Sequence, residues 1–176
     1  WMISFTAAIS IGAIAVPLNS WGKKQEIEYG IADSRARLIF CDEERFEHIS
    51  ERLEALSLLA VVVRSVNFKN RVRVYDYSVT QQFSPIMSQT HIEPFDDVMI
   101  MYTSGTTGPP KGAVSTNFAL AQALYNFEMH AALSALANPK LIEKMMSKGF
   151  PPSTLLAVPL FHVSGCHTVF MLSLRG

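Results

Sequence analysis

The sequence predicts an α/β fold, with a layered and largely parallel β-sheet flanked by helices. Three observations support this prediction. Short apolar runs alternate with helix-like patterns along the chain, which is the order typical of parallel sheets. The runs are apolar throughout, as in Val98–Met101, and continuous apolar strands are typical of sheets covered on both faces. The 176 residues are enough to bury a substantial core and to form one domain.

In the first half of the chain, helical patterns and apolar runs follow one another closely. Ile27 and Ile31 share one face of a predicted helix, and Asp42 is predicted to cap the next one. The predicted helices are Met2–Ile11, Lys24–Asp33 and Glu43–Leu58, the last with an apolar stripe of Phe46, Ile49, Leu53 and Leu56. The predicted strands are Ala13–Leu18, Leu38–Cys41, Ala60–Arg64 and Arg71–Tyr77.

The second half contains one long helix between shorter elements. Thr116 is predicted to cap this helix, and Asn138 with Pro139 is predicted to end it. The predicted strands are Val98–Thr103, Gly112–Ser115 and Thr154–Val158, and the predicted helices are Asn117–Leu136 and a turn within Asn138–Pro152. We interpret the lysines of that turn as a surface connection, and a membrane-touching patch is the alternative.

The charge balance excludes some partners. Lys and Arg total 15, as do Asp and Glu, so nothing indicates binding to nucleic acid or to an anionic membrane surface. Two long runs, Trp1–Gly22 and Ser153–Leu174, carry no charge apart from histidine and raise the question of a membrane span. Their Ser, Thr, Gly and Pro residues favour a buried helix and a buried strand instead, so no transmembrane segment is expected.

The two cysteines, Cys41 and Cys166, have no metal-binding spacing. They are predicted to be free buried thiols in a reducing compartment, which indicates a cytoplasmic location. Peripheral association with a membrane is the alternative. The sequence shows no cluster of metal-ligating residues, so no metal site is predicted.

A glycine-rich segment, Tyr102–Gly112, reads Tyr-Thr-Ser-Gly-Thr-Thr-Gly-Pro-Pro-Lys-Gly. Hydroxyl donors, flexible glycines and a closing lysine suit a polyanion, most commonly a nucleotide phosphate. The Walker motif is excluded because Gly112 follows Lys111 where that motif requires Ser or Thr. Composition alone would also fit a plain surface loop.

A second motif, Pro159–Gly165, contains His162 within an apolar stretch. A lone histidine beside apolar residues is more often a core residue than a functional one. A neutral imidazole can, however, donate one hydrogen bond and accept another, so it could orient a carboxylate or stabilise developing charge. His167 lies outside the motif and is predicted to be structural.

These segments resemble the adenylate-forming superfamily, which includes acyl-CoA synthetases, aryl-CoA ligases, luciferases and peptide-synthetase adenylation domains. Tyr102–Gly112 matches its signature [YF]-T-S-G-[TS]-T-G-x-P-K-G, and Pro159–Gly165 matches P-x-x-H-x-x-G. Gly12–Asn19 resembles G-A-x-x-V-P-L-N, and Asp33–Ala36 resembles the D-S-x-A turn. The resemblance implies that residues 1–176 form part of the large N-terminal AMP-binding domain of the acyl-CoA synthetase/luciferase-like fold, truncated at both ends and without the mobile C-terminal domain.

The resemblance also implies a reaction. A carboxylate attacks the α-phosphate of ATP to give an acyl-adenylate, and a thiol, often that of coenzyme A, then displaces AMP. ATP, Mg²⁺ and coenzyme A are therefore the expected cofactors and substrates. The Phe161–Cys166 segment is most like ligases of fatty or other apolar acids.

By the same resemblance, His162 and Lys111 are the candidate catalytic residues. Lys111 is expected either to contact phosphate as a point charge or to anchor the loop. The residues expected to contact the nucleotide are Thr103, Ser104, Gly105, Thr106, Thr107, Gly108 and Lys111.

Two alternatives stay open. Within enzymes, the chain could belong to an aryl-CoA ligase or a peptide-synthetase adenylation domain. From another class, it could be a nucleotide-binding or scaffold fragment without turnover. The family's metal-binding glutamate, ribose-binding aspartate, hinge and C-terminal catalytic lysine have no counterpart in these residues, so this chain alone is expected to be inactive. The sequence predicts no oligomeric state.

Overall fold

The computed structural model describes residues 1–65, 71–86, 89–103, 108–149 and 155–171. These residues divide into two compact units. The first comprises residues 1–92 and 97–114, and the second comprises residues 93–96 and 115–176. The α/β class is confirmed, because helices alternate with strands and the main sheet is parallel.

The first unit is built on a three-stranded parallel sheet with the order β1-β2-β3. Its helices are α1 (Met2–Ser10), α2 (Lys24–Ser34) and α3 (Glu43–Ile49), and its strands are β1 (Leu38–Asp42), β2 (Leu59–Val63), β3 (Val74–Asp76) and β4 (Asp97–Tyr102). A short 3₁₀-helix, Tyr77–Gln82, follows β3. In register, Leu38 pairs with Leu59 and Ala60 pairs with Val74.

The core of this unit forms where α2 and α3 pack beside the sheet. Its buried members are Ile27, Ile31, Phe46, Ile49, Leu53, Leu58, Ala60, Val62 and Val74. Ile31 and Ile49 are fully buried, with 1% and 0% of their surface exposed. Burial of an aliphatic side chain of this size stabilises a fold by about 1.5–3 kcal/mol. The stripe predicted from the sequence is therefore core, although Leu56 is only partly buried.

The predicted cap at Asp42 is confirmed. Its carboxylate accepts the Arg45 amide at 3.1 Å, which satisfies one of the free N–H groups at the start of α3. The Arg45 guanidinium also donates to the Ser20 carbonyl at 2.9 Å. The start of α3 is thereby fixed to the loop before α2.

The predicted helix over Glu43–Leu58 is wrong beyond Ile49, where α3 ends. The Ser50 hydroxyl donates to the Glu47 carbonyl at 3.3 Å, a local bond that competes with helix propagation. Ser57 then has a left-handed φ of 49°. Turns therefore carry Leu53 and Leu58 into the core without a continuous helix.

The predicted strand over Ala13–Leu18 is also wrong, since only an isolated parallel bridge between Ala15 and Met99 forms there. Ala15 donates to the Val98 carbonyl and accepts the Ile100 amide, both at 2.9 Å. Pro17 has no amide hydrogen with which to extend the ladder.

The strand predicted over Arg71–Tyr77 is confirmed only in its central part, Val74–Asp76. Arg73 has a left-handed φ of 67°, which is incompatible with extended backbone. The strand therefore begins one residue later, at Val74.

The second unit is helical. Strand β5 (Gly112–Thr116) pairs with β4, and its first three residues belong to the first unit. It leads into α4 (Asn117–Ala137), which is followed by α5 (Pro139–Met146) and a π-helix (Ser164–Met171). The Thr116 hydroxyl accepts the Ala119 amide at 3.2 Å, which confirms the predicted cap. No described helix is long and apolar enough to cross a bilayer.

The strand predicted over Thr154–Val158 is wrong in its described part. Thr154 lies outside the described residues, and residues 155–158 are not in a strand. Leu155 is 88% exposed, so the segment is not buried either. The apolar residues indicated a strand, but a strand also needs a neighbour for its backbone hydrogen bonds, and none pairs with this segment among the described residues.

Candidate nucleotide-binding site

The base of the glycine-rich loop is closed by a reciprocal pair of hydrogen bonds. The Thr103 amide donates to the Lys111 carbonyl at 3.0 Å, and the Lys111 amide donates to the Thr103 hydroxyl oxygen at 3.1 Å. β4 ends directly before Thr103, and β5 begins directly after Lys111. Two residues predicted from the sequence for the site, Thr103 and Lys111, are therefore brought together.

This bonding pattern determines what each residue can offer a ligand. The Thr103 oxygen uses a lone pair on Lys111, so its own hydroxyl hydrogen is available to another acceptor. The Lys111 side chain is exposed and forms no ion pair within the described part of the chain. A hydroxyl donor and a positive charge are thus present at the base of one loop.

Of the other loop residues predicted to contact the nucleotide, Gly108 alone belongs to the described part of the chain. Ser104, Gly105, Thr106 and Thr107 lie outside the described residues. Gly108 is exposed, and a Cβ added to it would meet no atom of the described residues within 4 Å. Packing against those residues therefore does not explain the glycine at position 108.

Gly112, which closes the motif, has a packing role. A Cβ at this position would lie 2.8 Å from Cγ2 of Ile100 and 3.4 Å from the Tyr102 ring. The two strands that flank the loop approach closely here because no side chain separates them.

Tyr102, the last residue of β4, makes a long-range contact that the sequence did not predict. Its hydroxyl donates to Oδ2 of Asp33 at 2.7 Å, and the Gly30 carbonyl lies 3.3 Å away. The Tyr29 ring packs edge-on at a centroid distance of 6.3 Å. Burial, reinforced by the carboxylate, raises the pKa of the Tyr102 phenol well above its ordinary value. Both residues lie in motifs recognised from the sequence, but Asp33 had been assigned only to a structural turn.

His162 lies in the second unit, whereas the glycine-rich loop belongs to the first. Its amide donates to the Pro159 carbonyl at 3.1 Å, and its carbonyl accepts the Cys166 amide at 2.9 Å. The side chain is exposed, with its ring 4.6 Å from that of Phe161. A Cβ at Gly165 would overlap the Pro159 carbonyl. The Pro-x-x-His-x-x-Gly spacing is thus a compact turn that presents the imidazole to solvent.

The other titratable candidates are consistent with structural roles. His167 Nε2 is buried with no partner among the described residues, and burial lowers the pKa of this histidine. Both cysteines are free, Cys166 being buried and Cys41 only partly so. Burial raises the pKa of Cys41 to about 12 and that of Cys166 to about 11. No group of three or more His, Cys, Asp or Glu that could hold a metal occurs among the described residues.

A family model described as "AMP-binding enzyme" matches residues 1–176, and the chain therefore belongs to that family. It is 29% identical over 167 residues to oxalate–CoA ligase of Arabidopsis thaliana, which covers 94% of this chain and 29% of that ligase. It is 25% identical over 177 residues to the long-chain-fatty-acid–CoA ligase FadD13 of Mycobacterium tuberculosis, covering 98% of this chain and 30% of that ligase. The chain thus spans less than a third of the length of these relatives.

Among solved structures, the chain is similar to the anthranilate–CoA ligase AuaEII in complex with anthranoyl-AMP. The match has a TM-score of 0.58 and 27% identity, and covers 69% of this chain and 24% of that one. These relatives and this solved structure are CoA ligases, and their names give different acids: oxalate, a long-chain fatty acid and anthranilate.

Proposed function

We propose that this chain supplies the phosphate-binding loop of an ATP-dependent ligase that activates a carboxylic acid and transfers the acyl group to coenzyme A. The loop base carries this proposal, because Thr103 and Lys111 bond reciprocally and the exposed Lys111 side chain forms no ion pair with any described residue. The two relatives support it because both are CoA ligases, and so does the similar structure of AuaEII, which is in complex with an acyl-adenylate. The whole activity is proposed for a longer protein that contains residues 1–176.

The proposed chemistry has two steps. A carboxylate oxygen attacks the α-phosphorus of ATP, the bond from that phosphorus to pyrophosphate breaks, and an acyl-adenylate forms. The sulfur of coenzyme A, having lost its proton, then attacks the acyl carbon, and AMP leaves with the electron pair of the broken C–O bond. The first step needs positioning and charge neutralisation more than acid–base catalysis.

The loop fits that demand in our proposal. Its hydroxyls and backbone amides bind the β- and γ-phosphates, and Lys111 neutralises charge as a point cation. The residues proposed for phosphate contact are Thr103, Ser104, Gly105, Thr106, Thr107, Gly108 and Lys111. Mg²⁺ is proposed to accompany ATP and to neutralise part of the charge of its phosphates.

His162 is proposed to act on the acid. Its exposed imidazole can donate a hydrogen bond to the carboxylate and hold it for attack. The apolar residues around it, Phe161 and Val163, favour a fatty or other apolar acid as substrate. An aromatic acid is the second candidate, favoured by the anthranilate ligase among the similar structures. A cytoplasmic location is part of the proposal.

Pyrophosphate release tests the proposed function. The full-length protein, ATP, Mg²⁺ and a panel of aliphatic, dicarboxylic and aromatic acids are combined with coenzyme A. We expect acid-dependent pyrophosphate release that falls at least about tenfold in Lys111→Ala and in Thr107→Ala. Lys140→Ala, which removes another exposed lysine, is the matched control. Wild-type rates in both loop variants would contradict the phosphate assignment.

The same assay separates a ligase from a binding protein. Residues 1–176 alone are expected to release no pyrophosphate. ATP binding without turnover by the full-length protein, with every acid of the panel, would favour the nucleotide-binding or scaffold alternative.

A further inference from the structure

We propose that Asp33 and Tyr102 are positioning residues, whose hydrogen bond fixes the start of the phosphate loop to the end of α2. The inference rests on the proposed function, because it assigns the pair a role in ATP binding by that loop. It concerns how the loop is held, not which groups touch the phosphates.

The bond lies at the point where the loop leaves the sheet. Tyr102 ends β4, and the next residue, Thr103, makes both hydrogen bonds to Lys111. The phenol of Tyr102 donates to Asp33 at 2.7 Å. The base of the loop is therefore held by two sets of hydrogen bonds, those between Thr103 and Lys111 and the one from Tyr102 to Asp33 on α2.

α2 is a firm support for such a bond. Ile27 and Ile31 on this helix are core residues, 5% and 1% exposed. A Cβ at Gly30 would come within 2.6 Å of Cδ2 of Leu18, so the helix already packs closely against the preceding segment. A group held at the end of α2 therefore has little freedom to move.

The position of Asp33 is unfavourable for the helix that carries it. Asp33 lies in the last turn of α2, where the partial negative charge of the helix end disfavours a carboxylate. It is exposed and forms no ion pair among the described residues. Among the described residues, the hydrogen bond from Tyr102 is thus the stabilising contact of this carboxylate, and it links α2 to the loop.

The hydrogen bond between Tyr102 and Asp33 is expected to persist over the physiological pH range. A neutral phenol donating to a carboxylate makes a charge-assisted hydrogen bond, which is stronger than one between neutral groups. Burial and the nearby carboxylate both favour the protonated phenol, so Tyr102 stays a donor at any physiological pH.

Calorimetric titration of the full-length protein with ATP and Mg²⁺ tests the inference without requiring the acid substrate. The variants are Tyr102→Phe, Asp33→Ala and the double substitution. Tyr29→Phe is the control, because it removes a hydroxyl from the ring that packs against Tyr102. We expect each single variant to raise the Kd for ATP about tenfold and the double variant to be no worse, since all three lose the same bond. The control is expected to bind as the wild type does.

A stability measurement separates positioning from a merely structural role. Asp33→Ala loses the bond to Tyr102 but also removes a carboxylate that opposes the helix dipole, and because these two effects oppose each other the urea midpoint is expected to stay close to that of the wild type while ATP binding weakens. Wild-type affinity in both single variants, or fully additive losses in the double variant, would overturn the inference and leave the proposed function standing. If the wild-type protein binds no ATP, the proposed function fails and this inference fails with it.

Discussion

The Lys111 amide donates to the Thr103 hydroxyl oxygen at 3.1 Å, and the Thr103 amide donates in return to the Lys111 carbonyl at 3.0 Å. One of these two bonds needs only backbone, so any residue at position 103 other than proline could make it. The other needs a side-chain oxygen, which explains a hydroxyl residue at the first position of the loop.

Removing that oxygen should weaken the loop base. We expect Thr103→Val to lower the free energy of unfolding by about 0.5–1 kcal/mol, because Lys111 loses one acceptor at a site that water can reach. Urea unfolding measures the change. Thr103→Ser keeps the oxygen and should remain close to the wild type, so equal losses in the two variants would show that the methyl group, not the bond, stabilises the base.

Substitution of His162 should impair the reaction of the carboxylic acid more than the binding of ATP. We expect His162→Ala to slow acid-dependent pyrophosphate release at least about tenfold, because the carboxylate loses the group that orients it, while the Kd for ATP stays unchanged. His130→Ala replaces another exposed histidine, on α4, and serves as the control. Parallel losses in ATP binding and in pyrophosphate release would instead indicate that His162 supports the fold of its turn.

Gly165 should resist substitution although it lies in a helix. Alanine normally stabilises a helix relative to glycine by about 1 kcal/mol. At position 165 its Cβ would overlap the Pro159 carbonyl, so we expect Gly165→Ala to destabilise the protein by about 1–3 kcal/mol in urea. The matched change Gly108→Ala meets no atom of the described part of the chain and should stay within about 0.5 kcal/mol of the wild type. A neutral Gly165→Ala would mean that the turn moves to make room.

The Cys41 thiol should make the free energy of unfolding decrease as the pH becomes alkaline. Its pKa is raised from 9.0 to about 12 by burial and by the charge of Asp42, so the folded thiol keeps its proton where the unfolded thiol loses it. The contribution is complete below about pH 9 and declines as pH rises towards 12. We expect the free energy of unfolding to begin to fall above about pH 9, a range that can be followed up to about pH 10, before most lysines titrate. Cys41→Ala should show a shallower fall, and an identical slope would argue that the thiol is not desolvated.

Local features of this fold could be predicted from the sequence because their causes lie within a few residues. The caps at Asp42 and Thr116 each depend on an amide three residues further along the chain. The strand β1 and the helix α2 were also predicted to within one residue at each end, since apolar runs and helical periodicity are local patterns.

The errors occurred where distant residues decide the outcome. Ala15 forms a bridge, not a strand, because its only pairing among the described residues is with Met99 and Pro17 prevents an extension. Residues 155–158 have the composition of a strand, but no partner pairs with them among the described residues. Periodicity reports which residues avoid water and does not report which neighbours are within reach.

The same distinction between local and long-range causes applies to the candidate site. The hydroxyls, the glycines and Lys111 indicate phosphate chemistry directly, because each group offers a donor or a charge. The contact between Tyr102 and Asp33 joins two segments that the sequence separates widely, and no local pattern encodes it. Recognising that both residues belong to motifs was the only sequence signal that could have linked them.

The bridge between Ala15 and Met99 also constrains the order in which the protein can fold during synthesis. Strands β1 to β3 are contiguous in the sequence and can pair soon after they leave the ribosome. Ala15 is synthesised earlier but cannot form its two backbone bonds, to Val98 and Ile100, until Ile100 has emerged. The segment around Ala15 therefore stays unpaired while the central sheet assembles, and the strand that leads into the phosphate loop pairs with it only after β1 to β3 have been synthesised.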